Sequence, residues 1–367
     1  MPIISKFYGG TISPLFFMNI QERINAFECL GKSLKQAVLS SEKKYTDDIF
    51  SIELLPLFQK AEMLNPWFTK ENLLFAFSSL AEMLDEKKLK KWISNYSIPD
   101  KNISKKIGIV MAGNVPMVGF HDMLCVLISG HHFLGKLSTK DEVLLQAISD
   151  ILVKIEPRFE NYISWTDNLM KNIDAIIATG SDNTSRYFDY YFGKYPHIIR
   201  KNRNSIAILN GTETEQELQL LGDDIFMYFG LGCRNVSKIF IPQNYDITRV
   251  FPPLEKYAHI AQHNKYANNY LYQRTILLLN KISFFDNGFL IVTENPLSAT
   301  PISVLHYEKY NDLENLKENI NFDNEKIQCI VSRQGFFPGS VPFGRAQTPE
   351  LWDYADGVDT LHFLLNV

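Results

Sequence analysis

The stretch FMYFGLGCRNVSKIFIP, Phe226 to Pro242, decides how the rest of the chain is read. Apolar Ile225, Phe226, Phe229 and Leu231 around Tyr228 predict a helix that runs into Gly230 and Gly232 and then Cys233. After the polar Arg234 and Asn235, alternation from Val236 to Ile241 predicts a strand closed by Pro242. A helix giving way at glycines leaves the cysteine on a turn where its sulfur is exposed and backbone can approach closely. Arg234 beside the sulfur would favour the thiolate, the nucleophilic form. The other reading is a buried cysteine wedged between helix and strand. Evidence elsewhere in the chain has to choose.

The chain has 367 residues, enough to bury a large core and to divide into two domains with a small third piece. With 46% hydrophobic and 21% charged residues it has the composition of an ordinary globular protein. A formal net charge of −4 argues against a nucleic-acid footprint. No apolar run approaches the length of a membrane span. Cys29, Cys125, Cys233 and Cys329 are far apart and form no CxxC pair, which speaks against structural zinc and a disulfide framework and fits a reducing cytoplasm. The first seventeen residues, broken by Gly9, Gly10 and Pro14, lack the continuous apolar core of a signal peptide and are read as a leader of uncertain order.

From Met18 to about Ser97 the pattern is helical, with Thr69 and Glu71 marking one helix start. Strands and helices then alternate. Strands are predicted at 105–113, 131–138, 161–167, 174–180 and 205–211, with helices at 115–130, 140–156 and 181–193 between them. That alternation implies a parallel sheet in βαβ units, whose ligands sit beyond the carboxyl ends of the strands. A second domain begins near Gly211; its strands are predicted at 289–295, 302–310 and 326–333, and the tail is read as irregular, then strand. The division drawn is 1–17 leader, 18–210 helical lead-in with nucleotide-binding domain, 211–340 catalytic domain, and 341–367 a segment returning to the first domain or to an oligomer interface.

Three places past the strands attract attention. Asn114, between Gly113 and the helix opened by Pro116, either caps that helix or donates to a ligand. With Cys233 facing it, its amide and a backbone N–H would form an oxyanion hole. Lys136, Ser138, Thr139 and Lys140 suit a phosphate, or are a solvated strand end. Thr179-Gly180-Ser181 permits close approach of a phosphate or ribose at a helix start. No GxGxxG follows the first strand, which counts against the ordinary dinucleotide-binding dehydrogenases. His131 and His132 point to opposite faces of a strand, and His259 with His263 lacks the glutamate of HExxH, so no metal is expected.

Taken together, GNVP (113–116), GKLSTK (135–140), ATGS (178–181), GLGCRN (230–235) and PFG (342–344) resemble the aldehyde dehydrogenase superfamily, and within it the acyl-CoA reductases of the LuxC type. The resemblance implies an α/β fold of a parallel Rossmann-like cofactor domain and an α/β catalytic domain. It implies Cys233 as nucleophile, Asn114 in the oxyanion hole, Lys136, Ser138 and Thr139 on the adenosine side, and Gly180 with Ser181 beside the cofactor phosphates. The implied reaction is NADPH-dependent reduction of an acyl thioester, a fatty acyl-CoA, to aldehyde through an acyl-cysteine. An acyl-activating partner enzyme, homo-oligomers and oligomer contacts from the C-terminal stretch come with it. A cysteine acyltransferase without hydride transfer, and an inactive scaffold with a buried Cys233, stay open. Hydrolytic relatives carry ELGG with a general-base glutamate where this chain has PHIIRKNRN (196–204), which offers only His197 and cations. Thr139 stands where they present an acid to the adenosine ribose; with Lys136 and Lys140 alongside, this favours NADPH over NADH.

Overall fold

The computed structural model describes residues 17–41, 49–99, 103–180, 187–188, 190–322 and 326–367. Four helices lead: α1 (Ile20–Ser40), α2 (Ile49–Leu64), α3 (Lys70–Met83) and α4 (Glu86–Ile93). Asn19 and Glu22 close a reciprocal capping box on α1, and Thr69 caps α3 by accepting from Asn72 N–H, at the start read from the sequence. Nearly all of the leader, and most of the helix expected over 181–193 with Ser181, lie outside the described residues.

The first sheet is wholly parallel. It holds β1 (Lys106–Val110), β2 (His132–Lys136), β3 (Ile163–Trp165), β4 (Ala175–Thr179) and β5 (His197–Arg200) in the order β3-β2-β1-β4-β5. Ile107, Ile109, Phe133, Ala175, Ile176 and Ile177 are buried, as a sheet covered on both faces requires. The covering helices are α5 (Phe120–Ile128) and α6 (Leu144–Ile155), together with the four leading helices. The expected helix at 115–130 begins only at Phe120. Met117 takes a left-handed φ of 57° and donates its N–H to Asp141 Oδ2 at 2.7 Å, so 115–119 is a turn fixed from outside.

The second sheet has seven strands. β6 (Asn204–Ile208), β7 (Val236–Pro242), β8 (Phe285–Asp286), β9 (Ile291–Glu294), β10 (Val304–Tyr310), β11 (Ile327–Ser332) and β12 (Val341–Pro342) stand in the order β12-β11-β6-β7-β10-β9-β8. All pairs are parallel except β8 with β9. Helices α7 (Glu215–Phe226), α8 (Asn264–Leu279) and α9 (Leu313–Phe322) connect them. Two expectations need correcting. The strand near 205–211 belongs to this sheet, between β11 and β7, so the chain crosses over at 201–203 rather than at 211; an apolar strand carries no mark of which sheet it will join. The tail forms a helix, α10 (Thr360–Leu365), where a strand was expected: Asp359 accepts from His362 N–H at its start, and Thr360, Leu361 and Leu364 are buried. Leu351, Tyr354, Leu361 and Leu364 join the core of the first sheet, and Trp92 and Tyr96 hydrogen-bond the Tyr354 hydroxyl at 2.7 Å.

Candidate active site

Val110 lies in register with Lys136 on one side and Ala178 on the other, so the carboxyl ends of β1, β2 and β4 form one rim. The strand order runs outward in both directions from β1, making this rim the switch point where such sheets bind ligands. Gly113 is required there: a Cβ on it would stand 2.6 Å from Ser138 Oγ, so only glycine lets the β2–α6 loop close against the β1 turn. Asp141, buried beneath both loops, holds Met117 N–H; burial pushes its carboxyl up to about 6 while that hydrogen bond pulls the other way. Asn65 on the helical lead-in adds a hydrogen bond to Lys140 O at 3.2 Å. Lys136 reaches Asn168 O at 3.4 Å, Ser138 Oγ accepts from Lys140 N–H, and Thr139 and Lys140 are exposed. Gly180 N–H donates to Arg200 O at 3.3 Å. Lys136, Ser138, Thr139 and Gly180 therefore stand at strand ends of one sheet edge, and their cations and hydroxyls fit a nucleotide phosphate.

The cysteine loop is built separately. Thr214 and Glu217 close a capping box on α7, which ends at Phe226. Tyr228 (φ 53°), Phe229 (φ 57°) and Gly230 (φ 76°) are then successively left-handed, a conformation two bulky residues adopt only when the surroundings impose it. Tyr228 N–H is held by Asn72 Oδ1 at 3.3 Å, and the Phe229 ring lies 5.2 Å from Trp67 and 4.5 Å from His263. Buried Asn235 ties the loop shut, donating to Met227 O at 2.8 Å and accepting from Gly232 N–H at 2.8 Å. Ser205 Oγ on β6 donates to Cys233 O at 2.9 Å. The sulfur-bearing residue ends up exposed while its neighbours crowd it.

That crowding sets its chemistry. Burial pushes the Cys233 thiol above its ordinary value, Arg234 and Arg200 draw it down, and Asp356 pushes it up. Arg234 favours the thiolate, as expected, but its guanidinium also donates to Ala346 O at 2.5 Å and to Cys329 Sγ at 3.6 Å, and desolvation of the thiol outweighs its charge. A pH profile follows with a definite sign. Because thiolate is the reacting form, alkylation of Cys233 by iodoacetamide should climb about tenfold per pH unit from 7 to 8.5 without levelling. A plateau below pH 7.5, followed by peptide mapping, would contradict it.

The two halves meet at one bond. Asn114 Nδ2 donates to Leu231 O at 2.7 Å, joining the β1 turn to the residue two before the cysteine. Val115 completes the contact, with Cγ1 3.4 Å from where a Cβ on Gly232 would stand. An amide carries two N–H donors, so one remains for a ligand.

The model of the acyl-CoA reductase (LuxC) family matches residues 18–250, which include Asn114, the 136–139 loop, Gly180 and Cys233. The chain belongs to the acyl-CoA reductase (LuxC) family. Comparison with curated proteins gives no match. Among solved structures, aldehyde dehydrogenase 21 from Physcomitrella patens, in complex with succinate, is similar with a TM-score of 0.61 and 11% identity over 95% of this chain and 88% of that one. An acetylating aldehyde dehydrogenase from Geobacillus thermoglucosidasius gives 0.60 and 11% over 92% and 86%. An NADP-dependent glyceraldehyde-3-phosphate dehydrogenase from Bacillus halodurans, complexed with NADP, gives 0.57 and 12% over 86% and 74%. The fold is that of the aldehyde dehydrogenases, and family and fold together make the chain an oxidoreductase of the acyl and aldehyde type.

Within this LuxC-family chain the stretch 196–204 is structural. Arg200 is buried, donating to Asp122 Oδ2 at 2.6 Å and to Thr360 Oγ1 at 2.9 Å, and so clamps α10 onto α5. His197 lies at the amino end of β5, opposite Ile176, whereas Arg200 is opposite Thr179 at the rim. Three residues of strand, roughly 10 Å, separate it from that rim. One acid whose charge raises the Cys233 thiol was not singled out from the sequence. Asp356, in a left-handed turn (φ 60°), is paired with Arg203 Nε at 3.2 Å and donates its N–H to Gln328 Oε1. It comes from 123 residues beyond Cys233 and had no motif to announce it. The histidines have other partners: His131 accepts from Lys105 N–H and faces Leu364 O, His132 stacks on Tyr162, and His263 faces Pro66 O.

Proposed function

We propose that the protein reduces a fatty acyl thioester to its aldehyde through an acyl group carried on Cys233. The observation that carries this reading is the Asn114–Leu231 hydrogen bond, which sets an amide donor against the loop of an exposed cysteine at a ligand-binding rim. Cys233 sulfur attacks the thioester carbonyl. The free N–H of Asn114 and the backbone N–H of Cys233 receive the oxyanion, and the CoA thiolate leaves with the proton of the Cys233 thiol. The acyl group then rests on sulfur. Bound nicotinamide supplies the hydride. The same two donors hold the second oxyanion, and expulsion of the Cys233 thiolate releases the aldehyde. An inactive scaffold predicts an unreactive, buried Cys233, and the exposure of the residue favours the catalytic reading over it.

Lys136, Ser138 and Thr139 would hold the adenosine end and Gly180 with Ser181 the diphosphate. NADPH is the preferred donor on this reading. A carboxylate at the ribose would repel a 2′-phosphate, Thr139 carries no charge, and of the two acids that follow it Asp141 is buried and turned to Met117 N–H while Glu142 is exposed. The expected result is kcat/KM at least about tenfold higher with NADPH, and equal or better values with NADH would reject the assignment. The direct assay is NADPH absorbance with acyl-CoAs of graded length. Loss of absorbance together with aldehyde formation supports reduction. Acyl exchange without NADPH consumption would move the function to an acyltransferase.

A further inference from the structure

Tyr228 and Phe229, shortly before Cys233, are neighbours in the chain but enter different cores. Tyr228 packs into the core of the first sheet and the helical lead-in, its ring edge-on to Phe75 of α3 at 5.9 Å. Phe229 packs into a core of the second sheet, its ring 6.0 Å from that of Tyr266. Left-handed backbone at both residues divides them in this way, and it is costly for side chains of their size. The connection between α2 and α3 holds that geometry. Asn72, buried in the first turn of α3, accepts from Tyr228 N–H at 3.3 Å and donates to Trp67 O at 3.1 Å. Trp67 packs against both cores, and His263 Nε2 stands 2.9 Å from Pro66 O. Asn65, also buried, donates to Lys140 O at 3.2 Å and accepts from Trp67 N–H at 3.3 Å. Residues 65–72 thus grip the β2–α6 loop at one end and the cysteine loop at the other.

We propose that Asn72 is a positioning residue for the reaction at Cys233, holding the cysteine loop in the form that receives the acyl group. The inference rests on the proposed acylation of Cys233. Tyr228 N–H is buried, and Asn72 Oδ1 is its acceptor, so removing that oxygen leaves an unsatisfied donor inside the protein. The left-handed pair then loses a contact that offsets its strain, and its backbone relaxes toward the ordinary right-handed region. Relaxation at Tyr228 is passed on directly. Leu231 N–H donates to Tyr228 O at 3.1 Å, and Leu231 O is the acceptor of the Asn114 amide. The amide of Asn114 and the backbone N–H of Cys233, which together receive the oxyanion, therefore lose their alignment. The same relaxation frees the sulfur from the crowding that raises its thiol. Reactivity toward a small alkylating agent then rises while competence toward a thioester falls.

The test compares two rates at Cys233 in the whole chain: acylation by palmitoyl-CoA and alkylation by iodoacetamide at pH 7.5, both followed by mass spectrometry with peptide mapping. In Asn72→Ala acylation is expected to fall about tenfold or more, with NADPH affinity changed less than about twofold. Alkylation of the same variant is expected to rise. Asn72→Asp keeps an acceptor for Tyr228 N–H, at a position in the first helical turn that suits an acid, and should acylate within about threefold of wild type. If the alanine variant shows no cooperative melting, Asn72→Ser takes its place, its hydroxyl being one bond too short to reach Tyr228, and is read in the same way. Unchanged acylation without the Asn72 acceptor overturns the proposal. So does a fall in acylation and alkylation together, the mark of a merely structural role, or an aspartate variant as slow as the alanine one. A wild type that takes no acyl group on Cys233 contradicts the proposed reaction alone, and the alkylation comparison then still decides whether Asn72 holds the loop.

Discussion

Replacing Cys233 with serine is expected to abolish thioester reduction, a fall of roughly 10⁴ or more in kcat/KM, while NADPH binding persists. Cys233 is an exposed residue on the loop that Asn235 and Ser205 hold in place. An alcohol at the same position is almost wholly un-ionised at neutral pH, and the crowding that already raises the thiol would raise it further. Cofactor contacts are assigned to another part of the rim, so nucleotide affinity measured by fluorescence titration should change less than about twofold. Substantial reduction by the serine variant would show that another residue carries the acyl group.

The second large effect is expected at Asn114. Asn114→Ala removes one oxyanion donor, which typically lowers kcat by about 10²–10³. It also removes the hydrogen bond to Leu231 O, so the cysteine loop loses its tether to the β1 turn. The two consequences separate experimentally. Asn114→Asp keeps an acceptor-sized group yet cannot donate when ionised, and it should be as slow as the alanine variant. Wild-type kcat in Asn114→Ala, at unchanged thermal stability, would make Asn114 a turn residue only.

Much of this site was legible in the sequence because the signals were local. Apolar runs ending in glycine announced β1, β2 and β4, and parallel topology then placed Gly113-Asn114, Lys136–Thr139 and Gly180 on one rim. What the sequence did not show depends on distance along the chain or on conformations that leave no residue signature. Asn114 meets Leu231 across 117 positions. Tyr228 and Phe229 occupy left-handed backbone that glycine ordinarily marks, so the end of α7 came earlier than the glycines suggested. β5 has four residues with histidine and arginine at its ends, too short to show a strand pattern. Asp356 influences Cys233 from a turn near the end of the chain. Helix α8 carries apolar residues on its outer as well as its inner face, so its sequence shows no clear periodicity.

The absence of a water-activating base within 196–204 also has a consequence. His197 sits at the far end of β5, and Asp356 is paired with Arg203, so on the proposed reading neither serves as the base that would activate water against an acyl-cysteine. Its lifetime is therefore the most direct test of the account. The measurement is intact-protein mass spectrometry of the enzyme mixed with a long-chain acyl-CoA without nucleotide, followed by peptide mapping. The account predicts one acyl adduct, on the peptide containing Cys233, stable for minutes and discharged as aldehyde on adding NADPH. An adduct on Cys29, Cys125 or Cys329, or rapid release of free acid with no adduct, would contradict it.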